Sequence, residues 1–475
     1  MGRAVHHVGR GLQIGLVGGA AVLMLLVAGV IAWSIRDQPH IPSAWDARVA
    51  PIADFVEKER GLEFDHPVEI EFLSPAEYRK AAISDDEQLT DEDRAALRDT
   101  VAQLRALGLV SGNVDLEAAS DELADTGTLA FYDPDTKKVS IRGTELTPAV
   151  RATLAHELTH AVQDQHVDLG RLDDLEGEEG DALRAIGEGD ADRIEDAYVD
   201  TMSDDDLDAY DAEQQKADEE TASLDEKVPQ VLQSLFAAPY AFGDQLVSIL
   251  AADGGNGAVD KALRHPPKSS EVLLDPGTYG TDAAEPKDVS ISAPDGVDEL
   301  DDGTLGPIAW YLMLSRRIDP LDALAAADGW GGDHYVLYRD DDGRTCIDVA
   351  YEGDTSDDVD EMHDALDEWI AAGDEGDASV ETTTDGLRFH ACDPGEEADT
   401  AGGDGSDDEA LGIAVTRAQI YDEILGQGAT KEQASCFAEG VLDRFSTDQL
   451  LDEQGEYIQS DEGQAEIEDI ATSCR

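Results

Sequence analysis

The chain has 475 residues, too many for one ordinary domain, and its 108 Asp and Glu residues against 33 Lys and Arg residues give a formal net charge of −75. This charge repels phosphate backbones and anionic lipid headgroups, which excludes nucleic-acid binding from the expected functions. The acidic residues occur in runs such as 204–206 and 340–342. Two explanations of these runs stay open: a solvated, halophilic surface adapted to high salt, or disordered acidic loops.

A long apolar run at residues 12–35 is sufficient to span the hydrocarbon core of a membrane as a helix. A secretory signal is the alternative, but its apolar stretch is normally shorter and ends in a small-x-small cleavage site, which this run lacks. Arg3 and Arg10 precede the run, whereas Arg36 is followed at once by Asp37, so the positive-inside rule places the N-terminus in the cytoplasm. We therefore expect a single-pass cell-membrane protein whose C-terminal bulk is extracellular.

The elements that follow predict an α+β fold. Residues 68–72 alternate as a half-buried strand does, and residues 84–126 are acidic and mostly helical. Residues 128–142 predict a hairpin, and the next helix begins at a capping Thr147 with Pro148 in its first position.

The second half of the chain predicts helices first and strands later. Further helices are expected at 179–200, 229–236, 239–252 and 306–316, then strands at 334–339 and 344–351, a helix at 356–371 and two short strands ending at Cys392. Composition divides the whole chain into a cytoplasmic N-terminus with the transmembrane helix (1–36), a stalk (37–52), a main domain (53–328), a small α/β appendage (329–393), an acidic linker (394–409) and a small helical module (410–475).

The cysteines Cys346, Cys392, Cys436 and Cys474 lack the CxxC spacing of a metal site. Disulfides suit an extracellular compartment. Of the three pairings that four cysteines allow, we expect Cys346 with Cys392 and Cys436 with Cys474, because the acidic linker separates these pairs. Four unpaired thiols are the alternative.

The segment His156-Glu157-Leu158-Thr159-His160 lies within the helix that Thr147 caps. The i, i+4 spacing brings both imidazoles onto one helix face, where they can share a Zn²⁺ ion. Glu157 can then take a proton from the zinc-bound water and deliver it to the leaving amine. The following helix offers Glu188 as a third ligand, which leaves one position for water. Two exposed helix histidines are the chance alternative.

This set of residues resembles the gluzincin peptidases, the thermolysin-like and aminopeptidase-like families that bind zinc through two histidines and a distant glutamate. The matching residues are His156, Glu157, His160 and Glu188. The resemblance covers residues 55–350 and implies a zincin-like core: a small mixed sheet, the HExxH helix and a mainly helical subdomain. The chain is most similar to uncharacterised membrane-anchored or secreted HExxH proteins.

The resemblance implies further roles. Asp192, one turn after Glu188, resembles the acid that orients a ligand histidine. Tyr240 resembles the tyrosine that donates a hydrogen bond to the developing oxyanion. An ordinary surface acid and a core tyrosine are the alternatives. His265 is a weaker candidate for the same electrophilic role and is otherwise a loop histidine. The patterns at 161–165 and 329–333 are shared with the relatives and identify no substrate.

Two departures from the aminopeptidases favour an endopeptidase that acts on a peptide or protein substrate. Glu188 lies farther from His160 than in those enzymes, and no Gly-x-Met-Glu-Asn segment precedes His156 to hold a free amine. We expect strand 138–142 to be an edge against which an extended peptide pairs. Two alternatives stay open: a non-enzymatic, metal-bearing extracellular scaffold or adhesion module, and an enzyme of the same fold acting on a small amide or cell-wall peptide.

Overall fold

The computed structural model describes residues 40–475 apart from 83–89, 127, 176, 223, 225–226, 282–284, 374–377, 399–406 and 453–456. The predicted membrane segment at 12–35 lies outside the described residues. The helices are α1 (Ala50–Arg60), α2 (Pro75–Ala82), α3 (Asp91–Ala106), α4 (Leu116–Asp125), α5 (Pro148–Val167), α6 (Glu178–Val199), α7 (Asp204–Thr221), α8 (Gln230–Gly254), α9 (Asn256–Arg264), α10 (Glu271–Leu274), α11 (Gly306–Ser315), α12 (Pro320–Asp328), α13 (Ser356–Ala372), α14 (Asp407–Gly426), α15 (Lys431–Leu442), α16 (Thr447–Leu450) and α17 (Asp461–Ser473). The strands are β1 (Glu69–Leu73), β2 (Ala130–Asp133), β3 (Lys138–Arg142), β4 (Asp298–Gly303), β5 (Trp330–Arg339), β6 (Thr345–Gly353), β7 (Ala378–Thr382) and β8 (Leu387–Cys392). The fold is α+β, as expected.

The first sheet has the strand order β1-β3-β2. β1 runs parallel to β3, with Ile70 opposite Val139, and β2 runs antiparallel to β3 as the other half of the predicted hairpin. The prediction that strand 138–142 is an edge was therefore wrong. The hairpin pattern identifies only one neighbouring strand of β3. β1, which is distant in sequence, pairs with its other side, and Val139 and Ile141 of β3 are fully buried.

Helix α5 begins as predicted and lies at the centre of the fold. The Thr147 hydroxyl accepts a hydrogen bond from the Val150 N–H at 3.4 Å, and Pro148 occupies the first turn. One side of α5 packs on the first sheet, where Leu154 and Leu158 share a core with the buried strand residues, and α6 packs on another. Because α5 is covered on several sides, His156 and His160 are held in a packed surrounding.

Helices α6 and α8 cross with their backbones in contact. A Cβ on Gly189 would overlap the carbonyl group of Gly243, and a Cβ on Gly243 would overlap the Ala185 carbonyl. The two predicted helices at 229–236 and 239–252 form the single helix α8, which contains Pro239. A proline there removes one hydrogen bond to the carbonyl four residues earlier, which belongs to Leu235, a residue that is 36% exposed.

Helix α8 also has the length and apolar composition to cross a membrane. Half of its most apolar window is buried inside the protein, as in the core helix of a globular fold. This helix is therefore weak support for any membrane assignment.

The second sheet has the order β4-β5-β6-β8-β7, and every neighbouring pair is antiparallel. β4 was not predicted because its sequence is acidic and does not alternate, yet it pairs with β5 and extends the sheet before the expected boundary at 329. Cys346 faces Cys392 across β6 and β8, and these residues form a disulfide. A second disulfide joins Cys436 to Cys474. Both predicted pairings are confirmed.

The C-terminal helices pack against the core of the main domain. α14 lies on α8 and contributes Ala410 to the large core cluster. The Tyr311 hydroxyl donates a hydrogen bond to the Ala410 carbonyl at 2.6 Å. The guanidinium of Arg417, which is almost fully buried, pairs with Asp328 at 2.5 Å and Asp275 at 3.3 Å.

Candidate metal centre

Three potential ligand atoms converge where α5 faces α6. The Nε2 atoms of His156 and His160 lie 3.0 Å apart, and Oε2 of Glu188 lies 3.3 Å from the first and 3.2 Å from the second. The His156 side chain is fully buried, and those of His160 and Glu188 are 13% and 8% exposed. The structure therefore brings together the three residues that were predicted as metal ligands.

The spacing of these atoms fits a small tetrahedral metal ion. Zinc bonds of about 2.0–2.1 Å place neighbouring ligand atoms about 3.3 Å apart in a tetrahedral site. The three observed separations of 3.0, 3.2 and 3.3 Å are close to that value. Two imidazoles and one carboxylate are also a donor set that zinc accepts and that leaves a fourth position open.

The other ring nitrogen of His156 faces acidic side chains. Its Nδ1 lies 3.1 Å from Oδ1 of Asp192 and 3.5 Å from Oε2 of Glu195. These three residues also have the spacing of a metal site. A neutral imidazole has one lone pair, so a metal on Nε2 would leave Nδ1 protonated and within ion-pair distance of these carboxylates, although Nδ1 makes no well-oriented hydrogen bond in the structure. Asp192 thus lies where the resemblance predicted an orienting acid.

The carboxyl group of Glu157 lies against the edge of the first sheet. Its Oε2 accepts a hydrogen bond from the backbone N–H of Tyr132 in β2 at 2.7 Å, and the residue is 3% exposed. Burial raises the pKa of Glu157, while the charges of His156 and His160 and the Tyr132 hydrogen bond oppose that rise. The strand therefore holds this carboxyl group beside the two imidazoles.

Tyr240 reaches the same place from α8. Burial raises the pKa of its hydroxyl well above the ordinary value, and the charges of Glu188, Asp192 and Glu157 and a hydrogen bond with Glu188 add to the effect. Tyr240 precedes Gly243 by nearly one helical turn, and Glu188 directly precedes Gly189. The backbone contact between these two glycines thus brings the tyrosine to the glutamate.

The electrostatics favour a bound cation. Burial would lower the pKa of His156, but the nearby carboxylates of Asp192 and Glu188 raise it well above its ordinary value. Burial would also lower the pKa of His160, but the charge of Glu188 outweighs this effect, so that pKa is raised. Burial alone would raise the pKa of Glu188, yet the facing imidazoles lower it to about 2. Acidic groups thus hold positive charge at this position.

His265 takes no part in this cluster. It follows the last residue of α9 as an exposed residue, and its backbone N–H bonds to the Lys261 carbonyl at 2.9 Å. Its position agrees with a loop histidine.

The pattern at 161–165 supplies three polar residues that sequence reasoning did not assign. Gln163 contacts His160, with Oε1 3.1 Å from Nδ1. Asp164 accepts hydrogen bonds from the Tyr132 hydroxyl at 2.6 Å and Lys137 at 2.7 Å, which fixes the β2–β3 hairpin on α5. Gln165 accepts from the Asp65 N–H at 2.7 Å. Each of these side chains connects α5 to a different part of the site's surroundings.

The pattern at 329–333 is structural and lies in the second sheet. The buried carboxylate of Asp333 accepts hydrogen bonds from two backbone N–H groups at the start of α11 and from two indole N–H groups, at distances of 2.7–3.0 Å. These donors are Leu305, Gly306, Trp310 and Trp330. The pattern therefore fixes the junction between α11 and β5.

Comparison with known protein families matches one segment in the second half of the chain. A protein-family model described as a domain of unknown function (DUF8575) matches residues 295–405, a range that contains the second sheet and none of the converging ligand residues. No curated protein and no solved structure matches the chain.

Proposed function

We propose that this chain is a zinc-dependent metallopeptidase whose ligands are His156, His160 and Glu188. The convergence of three ligand atoms within 3.3 Å of one another carries the proposal. The resemblance of the HExxH helix and Glu188 to the gluzincins supports a zincin-like core.

The side chains around the ligands have the properties that peptide hydrolysis needs. When bound, zinc acts as a Lewis acid that lowers the pKa of water and polarises a carbonyl group. Glu157 takes up a proton as general base and later returns it to the leaving amine, and the rise in its pKa through burial moves it toward the working pH. Tyr240 remains a hydroxyl because its pKa is raised, so it can donate a hydrogen bond to the oxyanion.

The substrate strand of an endopeptidase would pair with β2, the outer strand of the first sheet. The Arg142 N–H bonds to the Leu129 carbonyl, so the backbone groups of Leu129 and Phe131 face β3 and those of Ala130 and Tyr132 face away from it. The Tyr132 N–H already points to Glu157. Ala130, Phe131 and Tyr132 are buried, so a peptide would have to displace the groups that cover this edge before it paired with β2 and passed the general base in extended form, as an endopeptidase requires.

We further propose that the enzyme is held on the outer face of the cell membrane by residues 12–35. The length and apolar composition of that segment support an anchor, and the two disulfides suit an oxidising compartment. Protease added to intact cells should degrade the C-terminal bulk. Complete protection until the cells are lysed would reverse this orientation.

The decisive experiment compares the fragment from residue 40 with its Glu157→Gln form. We expect one zinc per chain in both, with hydrolysis of an unfolded protein reduced by about a hundred- to ten-thousand-fold in the variant. Glutamine keeps an oxygen that can accept the Tyr132 hydrogen bond, so the ligand shell should survive. Activity must be measured at high and low salt, because mutual repulsion of the acids destabilises the chain in dilute buffer.

The same experiment decides between the proposal and its alternatives. Zinc binding by the parent with no hydrolysis of any unfolded protein would favour a metal-bearing scaffold. Hydrolysis of small amides or cell-wall peptides alone would keep the enzyme and change its substrate. Equal rates in the parent and the variant at equal zinc content would reject Glu157 as the base.

A further inference from the structure

A buried amide connects one candidate ligand to a chain of charged residues. Oε1 of Gln163 lies 3.1 Å from Nδ1 of His160. Its Nε2 donates to the Gly187 carbonyl at 3.0 Å and to Oδ2 of Asp190 at 2.9 Å. Gln163 and Asp190 are both fully buried, so no bulk water competes for these contacts.

The partners of the Gln163 amide determine its orientation. A carbonyl oxygen and a carboxylate oxygen can only accept hydrogen bonds, so both must face the NH₂ end of the amide. Its oxygen end must then face His160. Because that oxygen is also only an acceptor, Nδ1 of His160 must carry a proton, and in the neutral ring the lone pair is then on Nε2.

The carboxylate that orients the amide is itself fixed by two arginines. Arg60, which is fully buried at the end of α1, donates through Nε to Asp190 at 2.6 Å and through a terminal nitrogen to Asp260 at 2.6 Å. Arg193 donates to the other oxygen of Asp190 at 2.8 Å. With guanidinium groups donating to both of its oxygens, Asp190 is held as an acceptor toward Gln163.

We propose that Gln163, oriented by Asp190 and Arg60, is a positioning residue that fixes His160 as the Nδ1–H tautomer and thereby presents its Nε2 lone pair to the metal. The inference rests on the proposed role of His160 as a zinc ligand. The two histidines are then oriented by different chemistry: His156 by carboxylates and His160 by a neutral amide. An amide orients the ring without adding another negative charge to an already acidic site.

The test separates the acceptor role of Gln163 from a merely structural one. Gln163→Met keeps the length of the side chain and removes the acceptor, whereas Gln163→Glu keeps an acceptor oxygen for His160 and removes the NH₂ donors. Gln165→Met is the matched control, because Gln165 lies on the same helix and bonds to Asp65 and His66 instead of a histidine ring. Zinc dissociation constants are measured by chelator competition.

We expect Gln163→Met to bind zinc about 10- to 100-fold more weakly than the parent and Gln165→Met to bind it as the parent does. Gln163→Glu should lie between them, because it keeps the acceptor for His160 but turns an oxygen toward the Gly187 carbonyl and the Asp190 carboxylate. In ¹⁵N-histidine-labelled, zinc-loaded parent, the imidazole N–H of His160 should exchange slowly with water, and it should exchange faster in Gln163→Met. This measurement on the parent and on Gln163→Glu still decides the matter if the methionine variant does not fold.

Three outcomes would overturn the inference. Gln163→Met could bind zinc as tightly as Gln165→Met, Gln163→Met and Gln163→Glu could lose affinity equally, or the His160 N–H of the parent could exchange as fast as an exposed imidazole. The second outcome would assign Gln163 a structural role through its donors. A parent that binds no zinc would instead reject the proposed function.

Discussion

Gly189 and Gly243 touch through their backbones: a Cβ on Gly189 would overlap the Gly243 carbonyl and lie 2.6 Å from the Asp244 nitrogen. The contact sets the separation between α6 and α8. Glu188 lies one residue before Gly189, and Tyr240 lies three residues before Gly243. The contact therefore also sets the separation between Glu188 and Tyr240.

Gly243→Ala should force these helices apart. Its Cβ would overlap the Ala185 carbonyl, and overpacking of this kind costs about 1–3 kcal/mol or more in the free energy of unfolding. We expect lower stability in urea titrations and weaker zinc binding. Gly187→Ala is the control, since a Cβ there would meet only Oε1 of Gln163, at 3.7 Å, and alanine is the better helix former. Equal effects of the two exchanges would contradict this account of the crossing.

Tyr240→Phe should lower kcat by about a hundred- to a thousand-fold while zinc content stays unchanged. The exchange removes only the hydroxyl that adjoins Glu188. Tyr198→Phe on α6 provides the comparison, because its ring packs on Phe55 with centroids 5.2 Å apart, away from the ligand atoms. Steady-state kinetics at matched zinc occupancy measure the effect. Full activity in Tyr240→Phe would remove this residue from the mechanism.

Glu178 should make the protein less stable as pH rises from about 5 to 8. Burial raises the pKa of its carboxyl group from 4.5 to about 8, against hydrogen bonds from Ser270. Between these values the folded state keeps a proton that the unfolded chain releases, so stability falls by about 1.4 kcal/mol per pH unit and levels off above the folded pKa.

Urea titrations at constant high salt measure the free energy of unfolding of the parent and of Glu178→Gln at each pH. The difference between the two values gives the part of the pH dependence that comes from Glu178. The difference should be smallest below about pH 4, where the carboxyl is protonated in the unfolded chain as well as in the folded one. The adjacent Glu179→Gln serves as a control for the loss of one charge. A difference between parent and Glu178→Gln that does not change with pH would show that Glu178 does not titrate in this range.

Replacing Cys436 and Cys474 by serine should lower the free energy of unfolding by about 4 kcal/mol, the chain-entropy value for a loop of this length. The disulfide closes a separation of 38 residues and joins α15 to the end of α17. Calorimetry of the double variant beside the parent measures the loss. Unchanged stability, or free thiols in protein isolated from its native membrane, would contradict the prediction.

Features that depend on neighbouring residues could be predicted from the sequence. The i, i+4 spacing of His156 and His160 places both imidazoles on one side of any helix, and Thr147 with Pro148 marks where that helix begins. The disulfide pairs followed from the linker that separates them. Glu188 needed the family resemblance, because in a chain with 108 acidic residues one more helix glutamate carries little information by itself.

Features that depend on distant partners could not be predicted. Arg60 and Asp190 lie 130 positions apart, and nothing local distinguishes them from other charged residues. The parallel pairing of β1 with β3 has the same origin, and it makes β3 central where the hairpin alone indicated an edge. β4 forms although its sequence lacks alternation, because β5 offers it a free edge. In each case the deciding partner is remote in sequence.

The ion pairs of Arg417 determine how the C-terminal helices respond to cleavage of the chain. Removing these helices would leave Asp328 without the Arg417 guanidinium that pairs with it and the Tyr311 hydroxyl without its acceptor, Ala410. A cut between residues 394 and 409 would therefore yield two fragments that stay associated in a native gel and melt in one transition. The polypeptide would be divided there while the folded unit stayed whole.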